Sequence, residues 1–165
     1  MPGTQGASLS SIEAIYRSDF HRFLHVALAI TGDVELAADA VQEGFANAIR
    51  HRHGFRGEGA LAGWLWHAVV NCARARAARR REFQLDADPS DERLPTANGN
   101  DEAGRLRLLI AALPERQRLV LFLRYYADLD YASIAAALEI STGTVGATLN
   151  AAHRALRPLI EEVSP

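Results

Sequence analysis

The segment that decides the fold lies near the end of the chain, where residues 131–150 have the sequence YASIAAALEISTGTVGATLN. Its apolar residues are spaced for two short helices joined by a tight turn. Ile134 and Leu138 would face inward on the first helix, and Val145 and Leu149 on the second. This spacing is typical of a helix-turn-helix, whose second helix can enter the major groove of DNA. An ordinary helical hairpin would have the same spacing, so the pattern alone leaves both interpretations open.

The turn and the second helix of this motif carry unusual residues. Glu139 occupies the turn position that glycine usually fills, and a positive φ there would cost a glutamate on the order of 1 kcal/mol. Between Thr142 and Ala152 the second helix has no charged side chain. The side chains in this stretch that can hydrogen-bond a base edge or a phosphate are Thr142, Thr144, Thr148 and Asn150. Arg154 follows later in the same helix.

The rest of the chain also has helical periodicity, and no segment of any length has the period of a strand. The pattern Ser10-x-x-Glu13 predicts a capping box at the start of the first helix. Gly32 marks the stop between the first and second helices. We predict a third helix over residues 60–81, after a glycine-containing loop at 51–59.

Composition and charge divide the chain into three parts. Residues 83–104 are rich in Asp, Pro, Asn and Gly and contain few apolar side chains, which is typical of a linker. The stretch 82–104 has seven acidic residues and one arginine, although the net charge of the whole chain is only −2. We therefore predict an all-α protein with a helical domain over 1–82, an acidic linker over 83–104 and a helix-turn-helix domain over 105–165.

The basic side chains are all arginines, because the 18 Lys and Arg residues of the chain include no lysine. Arginine suits the recognition of phosphates and bases better than lysine does, but a GC-rich genome would produce the same bias. Five arginines fall between Arg74 and Arg81, at the end of the predicted third helix. This cluster predicts contacts with DNA phosphates, and the alternative is a solubilising helix end.

Several classes of protein are excluded by composition or by missing motifs. A single cysteine, Cys72, allows no intrachain disulfide and fits a reducing cytoplasm. No apolar run approaches the roughly 20 residues that a bilayer requires, so we expect no membrane insertion. His21 and His25 are four residues apart but have no third ligand at metal-site spacing. We therefore expect no metal, no cofactor and no enzymatic activity.

Six short motifs, in the right order and at the right separations, resemble those of the extracytoplasmic-function (ECF) sigma factors of the sigma-70 type. In the first half the family motifs are D-x-V-Q-E-x-F, F-R-G followed by W-L-Y, and an arginine-rich end. They correspond here to DAVQEGF at 39–45, FRGEGALAGWLW at 55–66 and the segment that begins with Val70-Asn71. In the second half the similar segments are LPERQR at 113–118, LDYASIA at 129–135 and GTV at 143–145. The resemblance covers nearly the whole chain.

The resemblance implies that the first module binds the clamp of core RNA polymerase through the helix that carries the first motif. The exposed contact residues would be Asp39, Gln42 and Glu43. Val41 and Phe45 of the same motif would face inward. The alternative is a charged helix face that contacts only solvent.

The resemblance also implies that the first module recognises and opens the −10 promoter element. Opening requires an unstacked base to be held against apolar or aromatic surface, and the family places that pocket in the loop at 51–59. Trp64 and Trp66 are two residues apart on a helix and cannot face the same side, so we predict Trp64 in the core and Trp66 partly exposed. The predicted −10 contacts are Phe55, Arg56, Trp66, Asn71, Arg74, Arg76, Arg79 and Arg80.

The second module would place its helix-turn-helix, a winged-helix-like domain of the sigma region 4 type, at the −35 element. The predicted contacts are Thr142, Thr144, Thr148, Asn150 and Arg154. Family members usually carry basic residues near Gly146, Thr148 and Ala151, and this chain has none there. We therefore expect weak phosphate anchoring at the −35 element and a promoter choice that depends more on the first module.

The partners that the resemblance implies are core RNA polymerase, promoter DNA and an anti-sigma factor. Two other interpretations fit a helical protein with a helix-turn-helix. An autonomous transcriptional regulator would dimerise and shift a duplex operator without polymerase. A helical adaptor would bind only protein. A sigma factor would instead bind core polymerase tightly and duplex DNA poorly when alone.

Overall fold

The computed structural model describes residues 6–85 and 109–161, so most of the predicted linker at 83–104 lies outside the described residues. The described residues form helices and turns without a strand, which confirms the predicted all-α class. The helix-turn-helix therefore has no β-wing in this part of the chain. No single described helix is long and apolar enough to cross a membrane, although Tyr131–Leu138 and Thr142–Pro158 pass that test together, as a pair bent by 97°.

The first module consists of three helices, α1 (Leu9–Thr31), α2 (Val34–Arg50) and α3 (Leu61–Leu85). Gly32, at a φ of 68°, ends α1, because glycine adopts the left-handed region without steric strain. Asp33 follows immediately and caps α2, accepting a hydrogen bond at 3.0 Å from the backbone N–H of Leu36. The first two helices therefore form an antiparallel pair joined by a two-residue turn.

The predicted capping box at the start of α1 is wrong. Ser8 is the cap, and its Oγ accepts a hydrogen bond at 3.1 Å from the backbone N–H of Ser11. The backbone of Ser8 is extended, as an N-cap requires, whereas Ser10 is already helical. Glu13 instead pairs with Arg17 one turn later, at 2.7 Å. Three serines lie close together here, and the sequence pattern alone did not decide which of them begins the helix.

The core of the first module is built around Trp66, which is 1% exposed and stacks on Phe23 with ring centroids 4.0 Å apart. Phe45 packs edge-on against Phe23. The prediction that Trp64 lies in the core and Trp66 is partly exposed was wrong, because Trp64 is only half-buried. Since α3 contacts α1 and α2 on one side and a helix of the second module on the other, it carries apolar residues around most of its circumference. Helical periodicity therefore did not fix which face points inward.

The second module begins, within the described residues, with a helical turn at 109–111. Helix α4 (Glu115–Leu121) continues into a π-helical turn, Phe122–Tyr126. Helices α5 (Tyr131–Leu138) and α6 (Thr142–Glu161) form the helix-turn-helix. The core of this module includes Leu119, Leu123, Ile134, Val145 and Leu149.

The turn of the helix-turn-helix confirms the expected strain at Glu139. This residue ends α5 with a φ of 53° and a ψ of 44°, in the left-handed region. A glutamate there is less favourable than glycine by on the order of 1 kcal/mol, because its Cβ crowds the backbone. The turn is nevertheless closed by a hydrogen bond from the backbone N–H of Ile140 to the carbonyl of Ala135, at 3.0 Å.

Asp130 caps α5, and we expect its removal to destabilise the second module in a pH-dependent way. Its Oδ1 accepts a hydrogen bond at 2.7 Å from the backbone N–H of Ser133, and hydrogen bonding from Ser133 lowers the pKa of this carboxyl. Because the folded pKa is the lower one, the stabilisation is present at neutral pH and is lost as the pH falls through that folded pKa. Asp130→Ala should reduce the free energy of unfolding at pH 7 by about 1 kcal/mol.

This difference is measured by urea unfolding at pH 7 and at pH 3. Asp130→Asn is the matched control, because an asparagine side chain keeps the cap but does not titrate. We expect the gap between wild type and Asp130→Asn to narrow at pH 3. A gap that widens on acidification would contradict the role of the ionised carboxylate.

Candidate nucleic-acid and polymerase interfaces

The α2 surface predicted to contact polymerase has the orientation that the motif indicated. Asp39 and Gln42 are exposed and Glu43 is half-buried, whereas Val41 and Phe45 are buried. Gly44, between the two groups, lets α2 approach α3 closely. A Cβ built on Gly44 would lie 2.8 Å from the Cα of Val69. Backbone contact between α2 and α3 therefore fixes where the exposed carboxylates stand.

Arg76 of α3 binds the carboxylates of this same surface. Its Nη2 and Nε donate to Oε2 of Glu43 at 2.7 and 3.0 Å. Its Nη1 lies 3.5 Å from Oδ2 of Asp39. With one-quarter of its side chain exposed, Arg76 orients the two acids rather than projecting freely into solvent.

The other predicted DNA-binding arginines of α3 are not equivalent either. Arg80 lies 3.5 Å from Oδ2 of Asp33, so it too bridges to the start of α2. Arg74 points toward the second module and contacts Oε1 of Glu115 at 3.1 Å. Arg79 is exposed, and within residues 6–85 and 109–161 it takes part in no ion pair. The arginines of the predicted phosphate-binding cluster therefore lie in three distinct environments.

Arg76 and Arg79 also line a cleft beside the acidic surface. The cleft has a volume of about 500 Å³ and is bordered by Asp39 and Phe83. Phe83 is 80% exposed although it is a large apolar side chain. Apolar surface rimmed by charges is typical of a protein-binding site. Phe83 is not among the residues predicted from the sequence, because it lies one residue beyond the predicted boundary of the first domain.

The loop predicted to hold the −10 pocket is anchored by the N-terminal segment. The backbone N–H of Ala7 donates to the carbonyl of Arg52 at 2.9 Å. Gly6 passes so close that a Cβ there would lie 2.5 Å from the same oxygen. A 3-10 turn, Arg52–Gly54, then leads to Phe55. Gly57 and Gly59 adopt positive φ values of 71° and 86°, which glycine tolerates without strain.

A cavity of about 280 Å³ opens at the end of this loop. Phe55 and Trp64 lie on its wall, with ring centroids 5.6 Å apart. Both are half-buried, and Arg56 at the rim is exposed. This pair of rings is the aromatic surface that a base-stacking pocket requires. Trp64, not Trp66, is therefore the tryptophan at the candidate site, because Trp66 is enclosed in the core.

Asn71 is exposed, as a base contact requires, but its amide is already engaged. Its Nδ2 lies 2.9 Å from Nε2 of His67, one turn earlier on α3. Cys72, beside it, is half-buried, and burial raises the pKa of its thiol, with the charge of Glu43 acting in the same direction. The thiol is therefore protonated at neutral pH, which lowers its nucleophilicity. Within the described residues, no cluster of three His, Cys, Asp or Glu side chains could hold a metal ion.

The residues predicted to read the −35 element lie on two sides of α6. Thr142, Asn150 and Arg154 are exposed, and Asn150 and Arg154 are one turn apart. Thr144 and Thr148 are also one turn apart but half-buried. The hydroxyl of Thr144 lies 2.8 Å from the Oγ of Ser141, which caps the helix by accepting from the N–H of Thr144. Thr142, Asn150 and Arg154 are consequently the three accessible residues of the five.

Comparisons with known proteins agree on one family. The family model described as Sigma-70 region 2 matches residues 15–83, and that described as Sigma-70, region 4 matches residues 103–156. The ECF RNA polymerase sigma factor SigL of Mycobacterium tuberculosis is 32% identical over 169 residues, which cover 98% of this chain and 95% of SigL. The RNA polymerase sigma-H factor of Pseudomonas aeruginosa is 30% identical over 162 residues, covering 86% and 84% of the two chains.

Two solved structures have the same fold as this chain. The sigma factor RpoE from Bartonella quintana, in complex with the anti-sigma factor NepR, matches 93% of this chain and 98% of its own with a TM-score of 0.73. The match to CnrH, in complex with the cytosolic domain of CnrY, covers 96% of this chain and 92% of CnrH, with a TM-score of 0.70. Both are 18% identical in sequence to this protein. The chain therefore belongs to the ECF family of RNA polymerase sigma factors, which direct transcription initiation at promoters.

Proposed function

We propose that this sigma factor divides promoter recognition between its modules, with 1–82 binding the polymerase clamp and the −10 element and 105–165 binding the −35 element. The observation that carries the proposal is the cavity lined by Phe55 and Trp64, since aromatic surface beside an exposed arginine can hold an unstacked base. The acidic linker at 83–104 connects the two. The protein acts through binding and carries out no catalytic step of its own.

The polymerase contact in this proposal is the α2 surface together with Phe83 at the border of the cleft beside it. Asp39 and Gln42 are the exposed polar contacts, and Glu43 is positioned by Arg76. We add Phe83 to this surface, because burial of an 80% exposed ring would contribute apolar contact area that the carboxylates lack. Arg76 and Arg80 support this surface from within and are not phosphate ligands.

The −10 contact consists of Phe55, Arg56 and Trp64, with Asn71, Arg74 and Arg79 extending it along α3. Trp64 replaces Trp66 of the sequence-based assignment. In the −35 contact, the exposed residues Thr142, Asn150 and Arg154 are the main contacts, and the half-buried Thr144 and Thr148 are secondary. With Arg154 as its nearest cation, α6 anchors to phosphates weakly, so the first module dominates promoter choice.

The different environments of Arg76 and Arg79 predict different effects on salt dependence. Each lost phosphate contact changes the slope of log K against log salt concentration by about 0.9. Arg79→Gln should flatten the slope for promoter binding by the holoenzyme by about that amount. Arg76→Gln should leave the slope unchanged but weaken binding to core polymerase, because Glu43 and Asp39 lose their orienting partner.

Both variants are measured by fluorescence titration of the holoenzyme with a labelled promoter fragment at several salt concentrations, and of core polymerase with the labelled sigma factor. Each is the control for the other, since both remove one positive charge from the same helix. An equal change of slope in the two variants would indicate a single phosphate-binding cluster. It would contradict the separate roles of Arg76 and Arg79.

The proposed function is tested by run-off transcription with core RNA polymerase and genomic fragments. We expect discrete transcripts that require the added protein, and a fall in open-complex formation on heparin challenge for Phe55→Ala and Trp64→Ala. Binding of these variants to core polymerase should remain near the wild-type level. If the variants lose polymerase binding and promoter opening to the same extent, the assignment of the cavity to the −10 element is refuted. A shift of duplex DNA without polymerase would favour an autonomous regulator.

The regulation and location of the protein follow from the same proposal. It works in the cytoplasm, with the polymerase. The structural relatives RpoE and CnrH were solved in complexes with NepR, an anti-sigma factor, and with the cytosolic domain of CnrY. We therefore expect an anti-sigma factor to hold this protein inactive until a signal releases it.

A further inference from the structure

The loop at 51–59 is held on one side by backbone atoms from the start of the chain. The N–H of Ala7 donates to the carbonyl oxygen of Arg52 at 2.9 Å, and Ala7 is buried. Gly6 lies against the same turn, since a Cβ built on it would lie 2.5 Å from that oxygen and 2.6 Å from the Cα of His53. The three atoms nearest to the built Cβ all belong to the backbone, which cannot rotate away as a side chain can. Position 6 therefore requires glycine in this arrangement.

The same carbonyl oxygen of Arg52 also holds Phe55. It accepts a second hydrogen bond, at 3.3 Å, from the backbone N–H of Phe55 at the end of the 3-10 turn. A carbonyl oxygen has two lone pairs, so it can accept both bonds at once. One atom therefore joins the N-terminal segment to the first aromatic residue of the cavity. Displacement of Gly6 and Ala7 from this oxygen would leave the backbone of Phe55 held by the local bond alone.

The rest of this loop has little support from the protein around it. Residues 56–60 are all exposed. In the part of the chain that the structure describes, the other backbone hydrogen bonds of the segment 51–60 join residues three or four apart. Such local bonds fix the shape of a turn but not its place on the protein. The bond from Ala7 to Arg52 spans a long separation in sequence, and Ser8, the next residue, caps α1. The N-terminal segment therefore ties the loop to α1.

We propose that Gly6 and Ala7 form an N-terminal anchor that positions Phe55 for capture of a base of the −10 element. The proposal rests on the proposed function, because it assumes that the cavity beside Phe55 and Trp64 binds promoter DNA. The N-terminal anchor acts through Phe55 and makes no contact of its own with DNA. It restricts the orientations of Phe55 before a base arrives, so less conformational entropy is lost when the base is bound. Promoter opening therefore depends on a segment that precedes the first helix.

Gly6→Ala tests the positioning role with the smallest possible change. The added methyl group would overlap the backbone of Arg52 and His53, so the N-terminal anchor should detach from the loop. We expect the holoenzyme to form heparin-resistant open complexes about fivefold more slowly, with binding to core polymerase near the wild-type level. Ser8→Ala is the matched control, because it removes the cap of α1 but leaves the contact with Arg52 in place. Normal opening by Gly6→Ala, or the same defect in Ser8→Ala, would overturn the proposal.

A double-mutant cycle with Phe55→Ala separates positioning from a general loss of stability. If the N-terminal anchor acts through the Phe55 ring, Gly6→Ala should slow opening by less than about twofold when that ring is already absent. A general loss of stability would instead slow opening by the same factor in both backgrounds. Equal factors with and without the ring would show that Gly6 does not act through Phe55, and the proposal would be wrong.

Amide hydrogen exchange, followed by nuclear magnetic resonance, measures the contact itself in the absence of DNA. We expect the amides of Ala7 and Phe55 to be protected in the wild-type protein and to exchange faster in Gly6→Ala. Unchanged exchange of both amides in Gly6→Ala would overturn the proposal and leave the proposed function intact. Open-complex formation by Phe55→Ala at the wild-type rate would instead refute the assignment of the cavity, and the positioning role would fail with it.

Discussion

Trp66→Ala should unfold the first module well below the melting temperature of the wild-type protein. Trp66 is 1% exposed and stacks on Phe23 in the centre of the three-helix core. Truncation of a buried tryptophan removes its transfer free energy and leaves a cavity, with a typical cost of about 3–5 kcal/mol. In a domain of this size each kcal/mol corresponds to a shift of roughly 4–8 °C, so the melting temperature should fall by more than about 10 °C.

The matched control is Trp64→Ala, two residues away on the same helix. Trp64 is only partly buried, against Phe55, so its truncation should cost less stability than that of Trp66. Thermal unfolding followed by far-ultraviolet circular dichroism measures both variants. We expect Trp64→Ala to fold and to fail in promoter opening. A larger drop in melting temperature for Trp64→Ala than for Trp66→Ala would reverse the assignment of the two rings.

The two tryptophans also show where sequence reasoning reached its limit. The helix-turn-helix was predicted correctly because α5 and α6 are polar or small on one face, so Ile134, Val145 and Leu149 define the buried face without ambiguity. Helix α3 has no such polar face in its first half, because the second module packs on it opposite α1 and α2. That second contact joins segments far apart in the chain, and no local pattern reveals it.

The ion-pair partners of the α3 arginines could not be predicted from the sequence either, for a different reason. The number of arginines predicted contacts with a polyanion, but the acids that bind Arg76 and Arg80 lie on α2, at Asp39, Glu43 and Asp33. The partner of Arg76 is 33 residues away in sequence. Sequence separation hides such pairs, whereas the motif around Asp39 identified the exposed helix face correctly. Charge composition therefore predicted contacts with a polyanion but did not show which arginines pair with acids of α2.

Gly44→Ala should destabilise the protein although alanine is the better helix former. The added Cβ would lie 2.8 Å from both the Cα and the Cγ2 of Val69, and 3.0 Å from its backbone nitrogen. Two of these atoms are backbone, so α2 and α3 would have to move apart. Overpacking of this kind costs about 1–3 kcal/mol and outweighs the gain in helix propensity of about 1 kcal/mol. We expect the melting temperature to fall by roughly 5–10 °C.

Gly146→Ala is the same substitution at a helix position where the neighbours leave room. A Cβ there would lie 3.6 Å from Cε2 of Tyr131, an ordinary van der Waals distance, so only the propensity gain of about 1 kcal/mol remains. The two variants should therefore shift the melting temperature in opposite directions. Because α2 carries Asp39 and Gln42, the displacement caused by Gly44→Ala should also weaken binding to core polymerase, whereas Gly146→Ala should not affect it. A stabilised Gly44→Ala variant would show that the separation of α2 and α3 is not set at this glycine.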